Sequence, residues 1–386
     1  MPLDYKSHEN MKDLSLYIHI PFCKTICLYC NFLTFAHKNK FIPQYVEALT
    51  KEIKIKSALY KDYRIDTIYF GGGTPSLIEA EYIQKILETI EENFRVHPQK
   101  EISIECNPES IDEAKLKKYD EYGVTRVSLG IQNFDKKILF RIARPHDDKT
   151  IFKALSAVQN SPIKNYGADF IIGLPHQTLE HFQHQLQTIL EQDIPHLSFY
   201  FLSYDTKRID LFKADCPNDE TQIAMYEHLT KKLQAAGYIH YEVSNYAKPG
   251  FECKHNLRYW SQKEYLGLGL GAHSYLNGKC TENGRDFDQY LTDPTLLHEE
   301  VLIDDELHEL EYIMLHLRTR RGIDINEYEQ KFSNLKTDAA PSKKSSELLQ
   351  KAGQYFETKK LVFQDGRICP TDEGFLIIDK ITHDLL

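Results

Sequence analysis

The chain has 386 residues, 41% of them hydrophobic, a length that suits one large α/β domain with a smaller appendage. A net charge of −10 is not the balance of a phosphate-backbone binder, no run of 18 apolar residues marks a membrane span, and the opening MPLDYKSHENMKD lacks the apolar stretch of a secretory signal. Eight cysteines, three clustered and five dispersed (Cys106, Cys216, Cys253, Cys280, Cys369), argue against a secreted disulfide framework and fit a reducing cytoplasm.

The first apolar run, residues 14–20, leads directly into Cys23, Cys27 and Cys30 with the spacing C-x3-C-x2-C. Three thiolates are gathered here without a fourth. A structural zinc takes four protein ligands, whereas a [4Fe–4S] cube takes one per iron, so three cysteines on a cube leave one iron open to a small molecule. The alternative is a zinc loop completed by His19 or a distant residue.

Further along, strand-like runs LSLYIHI, DTIYF, EISIEC, RVSLG, NYGADFII and HLSFYF alternate with amphipathic stretches at 41–59, 78–94, 111–122, 149–159 and 178–192. This rhythm predicts a parallel sheet built as an open, partial (β/α)6 barrel, with functional loops at the carboxyl ends of its strands. A flat doubly wound sheet is the structural alternative. Directly after the second strand, Gly71-Gly72-Gly73-Thr74-Pro75 brings bare backbone amides to that rim; it lacks the ending of a phosphate loop. Later strand ends add Glu105 with Asn107, Arg126, Gln132, Arg144, His146 and Asp169. A carboxylate inside an apolar strand is costly unless paired or ligand-bound, so their convergence on one rim favours a site.

Beyond residue 201 the rhythm changes. A helix near 218–236 and the strand YIHYEV precede a Gly- and aromatic-rich stretch, in which GLGLGAHSY reads as a strand crossing. From about Val301, DDELHELEYIMLHLRT and SSELLQKAGQYFET read as helices separated by a solvated loop, LKTDAAPSKKSS. Two short strands then flank a turn at Asp365-Gly366, and a last helix follows. This is winged-helix-like, but 12 basic against 16 acidic residues from 301 onward suit packing or partner contact rather than DNA.

The cysteine loop resembles that of the radical S-adenosylmethionine (SAM) superfamily, in which the open iron receives the amino and carboxylate groups of SAM. From Tyr17 to the C-terminus the chain resembles the HemN/HemW family, oxygen-independent coproporphyrinogen dehydrogenases and their heme-chaperone relatives. The matching motifs are YIHIPFCKTICLYC, GGGTPS, ECNPES, RVSLGIQNFD, ADFIIGLPHQT and the C-terminal module. The resemblance implies that Cys23, Cys27 and Cys30 ligate the cluster, and that Tyr17, Tyr29, Gly72, Gly73, Thr74, Glu105, Gln132, Arg144 and Asp169 contact SAM. It names no catalytic residue.

Two departures favour the heme-chaperone branch. Phe32 stands where the dehydrogenases carry a further cysteine, and only 22 residues precede Cys23, too few for their N-terminal arm. His255-Asn256-Leu257-Arg258-Tyr259-Trp260 matches the H-N-x-x-Y-W motif of that branch and makes His255 the implied heme ligand; Cys253 does not complete a C-x-x-C-H attachment. The segment LSYDTKRIDLF lacks the E-P-G-T turn of the family, leaving the part played by Ser203 open.

The expected division is a core at 1–210 with the Fe–S and SAM sites, an extension at 211–300 with the heme motif, and a C-terminal domain at 301–386. The expected function is a cytoplasmic heme carrier that binds a [4Fe–4S] cluster, SAM and heme and passes heme to an apoprotein acceptor. This expectation includes no nucleic acid, and a homodimer is admissible. The alternatives are coproporphyrinogen III dehydrogenation in porphyrin biosynthesis, by way of a radical derived from SAM, and a zinc-containing winged-helix regulator.

Overall fold

A computed structural model describes residues 11–203, 210, 212–333 and 344–386. Six strands follow one another with helices between them: β1 (Lys12–Ile20), β2 (Tyr63–Gly72), β3 (Arg95–Cys106), β4 (Arg126–Gln132), β5 (Asn165–Ile172) and β6 (His196–Phe201). Each pairs in parallel with the next. The intervening helices include Ile42–Ser57, Ala80–Asn93, Glu113–Glu121, Asp148–Asn160 and Leu179–Glu191. Side-chain caps fix three of the helix starts: Asp112, Asp147 and Thr178 accept from the backbone amides of Lys115, Thr150 and His181.

Residues of these strands alternate with the period of the pleat. Leu14, Leu16, Ile18 and Ile20 of β1, Ile102 and Ile104 of β3, Val127, Leu129 and Ile131 of β4, and Ala168, Phe170 and Ile172 of β5 are buried in one hydrophobic cluster. Ile53, Ile83, Ile90, Leu155, Leu186 and Ile189 from the helices join them. Each of these side chains except that of Ala168 contributes about 1.5–3 kcal/mol on burial. The other face carries Ser15 and Tyr17, Thr67 and Tyr69, Ser103 and Glu105, Arg126 and Ser128, Asp169, and His196 and Ser198. Strands covered on both faces in parallel sheets usually read as continuous apolar runs; here the inner face is polar and most of it borders a cavity.

The sheet continues past the six-strand unit to twelve strands. Tyr265–Leu268 pairs in parallel with β1, and the antiparallel strands His273–Leu276, Lys279–Asn283 and Leu297–Leu302 extend that edge. The stretch GLGLGAHSY forms this strand crossing. Gly267 packs so closely on His273 that a Cβ would sit 2.1 Å from its carbonyl oxygen. Asn245–Ala247 and Ile239–Glu242 complete the opposite edge.

A second hydrophobic cluster, with Tyr312, Leu317, Phe332, Leu348, Tyr355 and Ile381, lies in the C-terminal part. There Asp305–His316, Ile325–Phe332, Lys344–Glu357 and Ile378–Leu385 are helical beside a three-stranded sheet. Its hairpin turns at Asp365 (φ 50°) and Gly366 (φ 73°), both in the left-handed region. Asp372 ties this part to the rest through His240 Nδ1 at 3.1 Å and Gln234 Nε2 at 2.8 Å, and within the part it pairs with Arg320. Most of the expected loop LKTDAAPSKKSS lies outside the described residues, as does most of LSYDTKRIDLF. No described helix is long and apolar enough to cross a membrane.

Candidate functional site

The carboxyl ends of β1 to β6 surround a cavity of about 410 Å³, within the usual range of small-molecule sites. The loop after β1 supplies Cys23, Cys27, Tyr29, Cys30 and Phe32 to its wall; the glycine turn after β2 supplies Gly72, Gly73 and Thr74. Glu105 and Asn107 enter from β3 and its end, Gln132 and Arg144 from β4 and beyond, Asp169 from β5, and Ser203 from the segment after β6.

Polar contacts join the thiols to the rim. Thr74 donates from Oγ1 to Cys23 Sγ at 3.7 Å and accepts from Asn107 Nδ2 at 3.1 Å. Arg144 donates from Nη1 to Cys27 Sγ at 3.6 Å and from Nη2 to Asn107 Oδ1 at 3.0 Å and to the Gly130 carbonyl. Burial pushes the Cys23 thiol up from its ordinary range. Donors aimed at sulfur lower the cost of the thiolate form that an iron–sulfur cluster requires. Among the described residues no three His, Cys, Asp or Glu side chains are gathered as a single-ion site. His19 does not complete a zinc loop: its Nδ1 lies 3.1 Å from Tyr17 Oη and its Nε2 2.9 Å from the Leu33 carbonyl oxygen.

Two carboxylates line the same cavity. Glu105 accepts from Tyr69 Oη at 2.9 Å and from the Gly72 amide at 3.3 Å. Burial, reinforced by Asp169, pushes its carboxyl up to about 7. Asp169 accepts from Ser128 Oγ at 3.0 Å and is likewise raised by burial. Arg144 Nε is buried without a hydrogen-bond partner among the described residues. The three glycines leave no spare room. Gly72 has φ +109°, and a Cβ there would lie 2.4 Å from His19 Cε1; at Gly71 one would lie 2.9 Å from Tyr17 Cε2. Three thiols, an arginine with a buried, unpartnered Nε and two acidic acceptors around one cavity suit a ligand carrying both an amino-acid head and hydroxyls. These donor sets fit a [4Fe–4S] cluster and SAM.

The cavity thus unites the three cysteines and eight of the nine residues expected to face SAM. Tyr17 is set back, stacked on Tyr69 with ring centroids 6.4 Å apart. His255 is also absent from the wall. It lies on the helix Lys254–Trp260, 1% exposed, although its neighbours Cys253 and Asn256 do border the cavity. His146, noted at the rim, is buried between Glu109 Oε2 at 3.0 Å and the Ile131 carbonyl oxygen at 3.3 Å.

Tyr69, Ser103, Ser128, His196 and Ser198, which no motif singles out, also line the cavity, as does Arg126, expected at the rim. The signal for all but Tyr69 was the period-two alternation: each stands an even number of residues from another cavity-lining position on its strand, such as Ser103 from Glu105.

The chain matches the family model described as the radical SAM superfamily over residues 17–189 and the HemN C-terminal domain over 304–377. It is 32% identical over 384 residues to the protein named heme chaperone HemW from Lactococcus lactis subsp. lactis (strain IL1403), covering 97% of this chain and 98% of the relative. To heme chaperone HemW from Bacillus subtilis (strain 168) it is 34% identical over 343 residues, 85% and 89% of the two chains. The solved coproporphyrinogen III oxidase (HemN) from Escherichia coli superposes with a TM-score of 0.84 at 23% identity, covering 98% of this chain and 91% of the other, a likeness of fold. The chain belongs to the HemW family of the radical SAM superfamily.

Proposed function

Taking membership of the HemW family as premise, we propose that this protein is a cytoplasmic heme carrier. It binds a [4Fe–4S] cluster, SAM and heme and delivers heme to an apoprotein acceptor. Cys23, Cys27 and Cys30 hold the cluster. Tyr29, Gly72, Gly73, Thr74, Glu105, Gln132, Arg144 and Asp169 contact SAM, with Tyr17 supporting them from behind. The bound cluster supplies an iron that lacks a protein ligand and that the amino-acid end of SAM can reach. Arg144 compensates thiolate charge beside Cys27 and offers Nε to an anionic group. Glu105 and Asp169 accept hydrogen bonds from ligand hydroxyls. Phe32, 67% exposed at the cavity mouth, gives an apolar edge where the dehydrogenases place another cysteine.

Within this reading residues 1–210 hold the cluster and SAM, 211–300 the heme motif, and 301–386 a partner-facing domain. His255 is the proposed heme ligand, and it reaches an iron only after leaving its present contacts. The observation that carries the proposal is the pairing of a three-thiol wall with the chain-length likeness to proteins named heme chaperone HemW.

The test is anaerobic reconstitution with iron and sulfide, followed by heme titration at the Soret band and transfer to an apoprotein, with deoxyadenosine measured in the same sample. The proposal expects a heme complex, weakened in His255→Ala, and transfer that follows cluster content. Heme binding unchanged in His255→Ala removes that ligand assignment. Cluster-loaded protein that binds no heme removes the carrier function.

A further inference from the structure

We infer that His255 is a positioning residue for the SAM side of the cavity, acting through Tyr69 on Glu105, and that it cannot serve a heme iron while it does so. The inference rests on the reading of the cavity proposed above. Both ring nitrogens of His255 are engaged: Nδ1 lies 2.8 Å from Thr67 Oγ1 and Nε2 3.0 Å from Tyr259 Oη. Its backbone amide donates to Glu101 Oε1 at 3.1 Å, which fixes the start of the helix beneath the sheet. The imidazole lies on the Tyr69 ring, with centroids 4.9 Å apart and planes 22° from parallel.

Tyr69 carries the effect onward. Its hydroxyl donates to one oxygen of Glu105, whose other oxygen receives the Gly72 amide. The neighbours leave it little play: a Cβ on Gly71 would come within 3.1 Å of Tyr69 Cε1 and 3.2 Å of Glu105 Oε1. A continuous set of contacts therefore runs from the H-N-x-x-Y-W helix to a cavity carboxylate and a cavity amide.

An imidazole bound to iron must present a ring nitrogen lone pair to the metal. His255 can do this only by giving up Thr67 or Tyr259, and the ring then leaves Tyr69. The docked and ligating positions exclude each other. A ligand that favours one position opposes a ligand that favours the other, and by linkage each weakens the other by the same factor. SAM binding and heme ligation through His255 are therefore antagonistic.

The test uses the full, cluster-loaded chain and measures SAM affinity by equilibrium dialysis, with and without heme, in the parent, Tyr69→Phe, His255→Ala and the double variant. Tyr69→Phe removes one hydroxyl and serves where His255→Ala folds poorly. Each single change is expected to weaken SAM binding about 5- to 30-fold at unchanged iron content, the scale of one lost buried hydrogen bond. The double variant should be no weaker than the worse single variant, because both act along one path. In the parent, heme should raise the Kd for SAM by the factor by which SAM raises the Kd for heme. His255→Ala should lose that dependence. SAM binding unchanged in both single variants, or losses that multiply in the double, overturns the inference and leaves the cavity reading standing. A parent that binds no SAM overturns the cavity reading and the inference with it.

Discussion

Arg144 and Cys27 are joined by a hydrogen bond from guanidinium Nη1 to Sγ at 3.6 Å, while the same guanidinium reaches Asn107 at 3.0 Å. Arg144 lies 117 residues beyond Cys27, so a charge far along the chain is delivered to the cysteine loop from the segment after β4. The contact gives the loop a cationic neighbour and leaves Nε free for a ligand.

Arg144→Gln should therefore retain the fold and most of the iron while losing SAM. Hydrogen bonds to charged groups are worth about 1.5–3 kcal/mol, so SAM affinity should fall roughly 10- to 100-fold. Iron and sulfide analysis beside equilibrium dialysis separates the two effects.

Replacing any one of Cys23, Cys27 or Cys30 with alanine should abolish a stable [4Fe–4S] cluster, because no fourth thiol stands in the cavity loop to substitute. Cys106 and Cys253 also line the cavity, but both lie outside the loop, are buried, and are pushed up to about 12 by that burial. The measurement is visible absorbance and iron content after oxygen-free loading. Near-parental iron in any of these variants would remove that cysteine from the ligand set.

SAM affinity should rise with pH through about 7, because burial pushes Glu105 up to that value and only its ionised form accepts from ligand hydroxyls without donating. Between pH 6 and pH 8 the rise should be about tenfold, and it should be absent in Glu105→Gln. Linkage has the opposite sign for stability. Between 4.5 and about 7 the folded carboxyl keeps a proton that the unfolded chain has released, so this group's contribution falls as pH rises.

Acid should destabilise the protein through His255. Burial lowers it from 6.5 to about 3. In that interval the unfolded chain binds a proton that the folded chain does not. The contribution is complete above 6.5 and declines as pH falls toward 3. Urea midpoints measured from pH 7 to pH 4 should fall less steeply in His255→Gln than in the parent.

Gly72→Ala should lower the melting midpoint by several degrees and reduce SAM binding. The residue has φ +109°, and its Cβ would meet the His19 ring. Such strain costs about 2 kcal/mol or more.

Most of the barrel was legible in the sequence because its strands alternate, its helices are amphipathic, and three of those helices start on a side-chain cap. NYGADFII and HLSFYF form strands at their expected limits, and the expected helices deviate by one or two residues at their ends. The cysteines and the residues from Gly72 to Asp169 converge because parallel strands bring all their carboxyl ends to one rim. The setting of His255 was not legible. Its motif identifies a histidine beside aromatics, but burial against Tyr69, Thr67 and Glu101 depends on strands 150 to 190 residues away. Beyond the crossing at GLGLGAHSY, the extension of the sheet past β1 was also hidden, because its strands are only four to six residues long and separated by glycine-containing turns.

The central claim is that the three-cysteine loop leaves an iron to which SAM binds inside this cavity. The most direct measurement is electron–nuclear double resonance on the reduced, cluster-loaded protein with SAM labelled in its amino nitrogen and carboxylate. Hyperfine coupling from both labels to the cluster, lost on Arg144→Gln, is the predicted result. A fully loaded, folded protein whose cluster shows coupling to neither label would contradict the account.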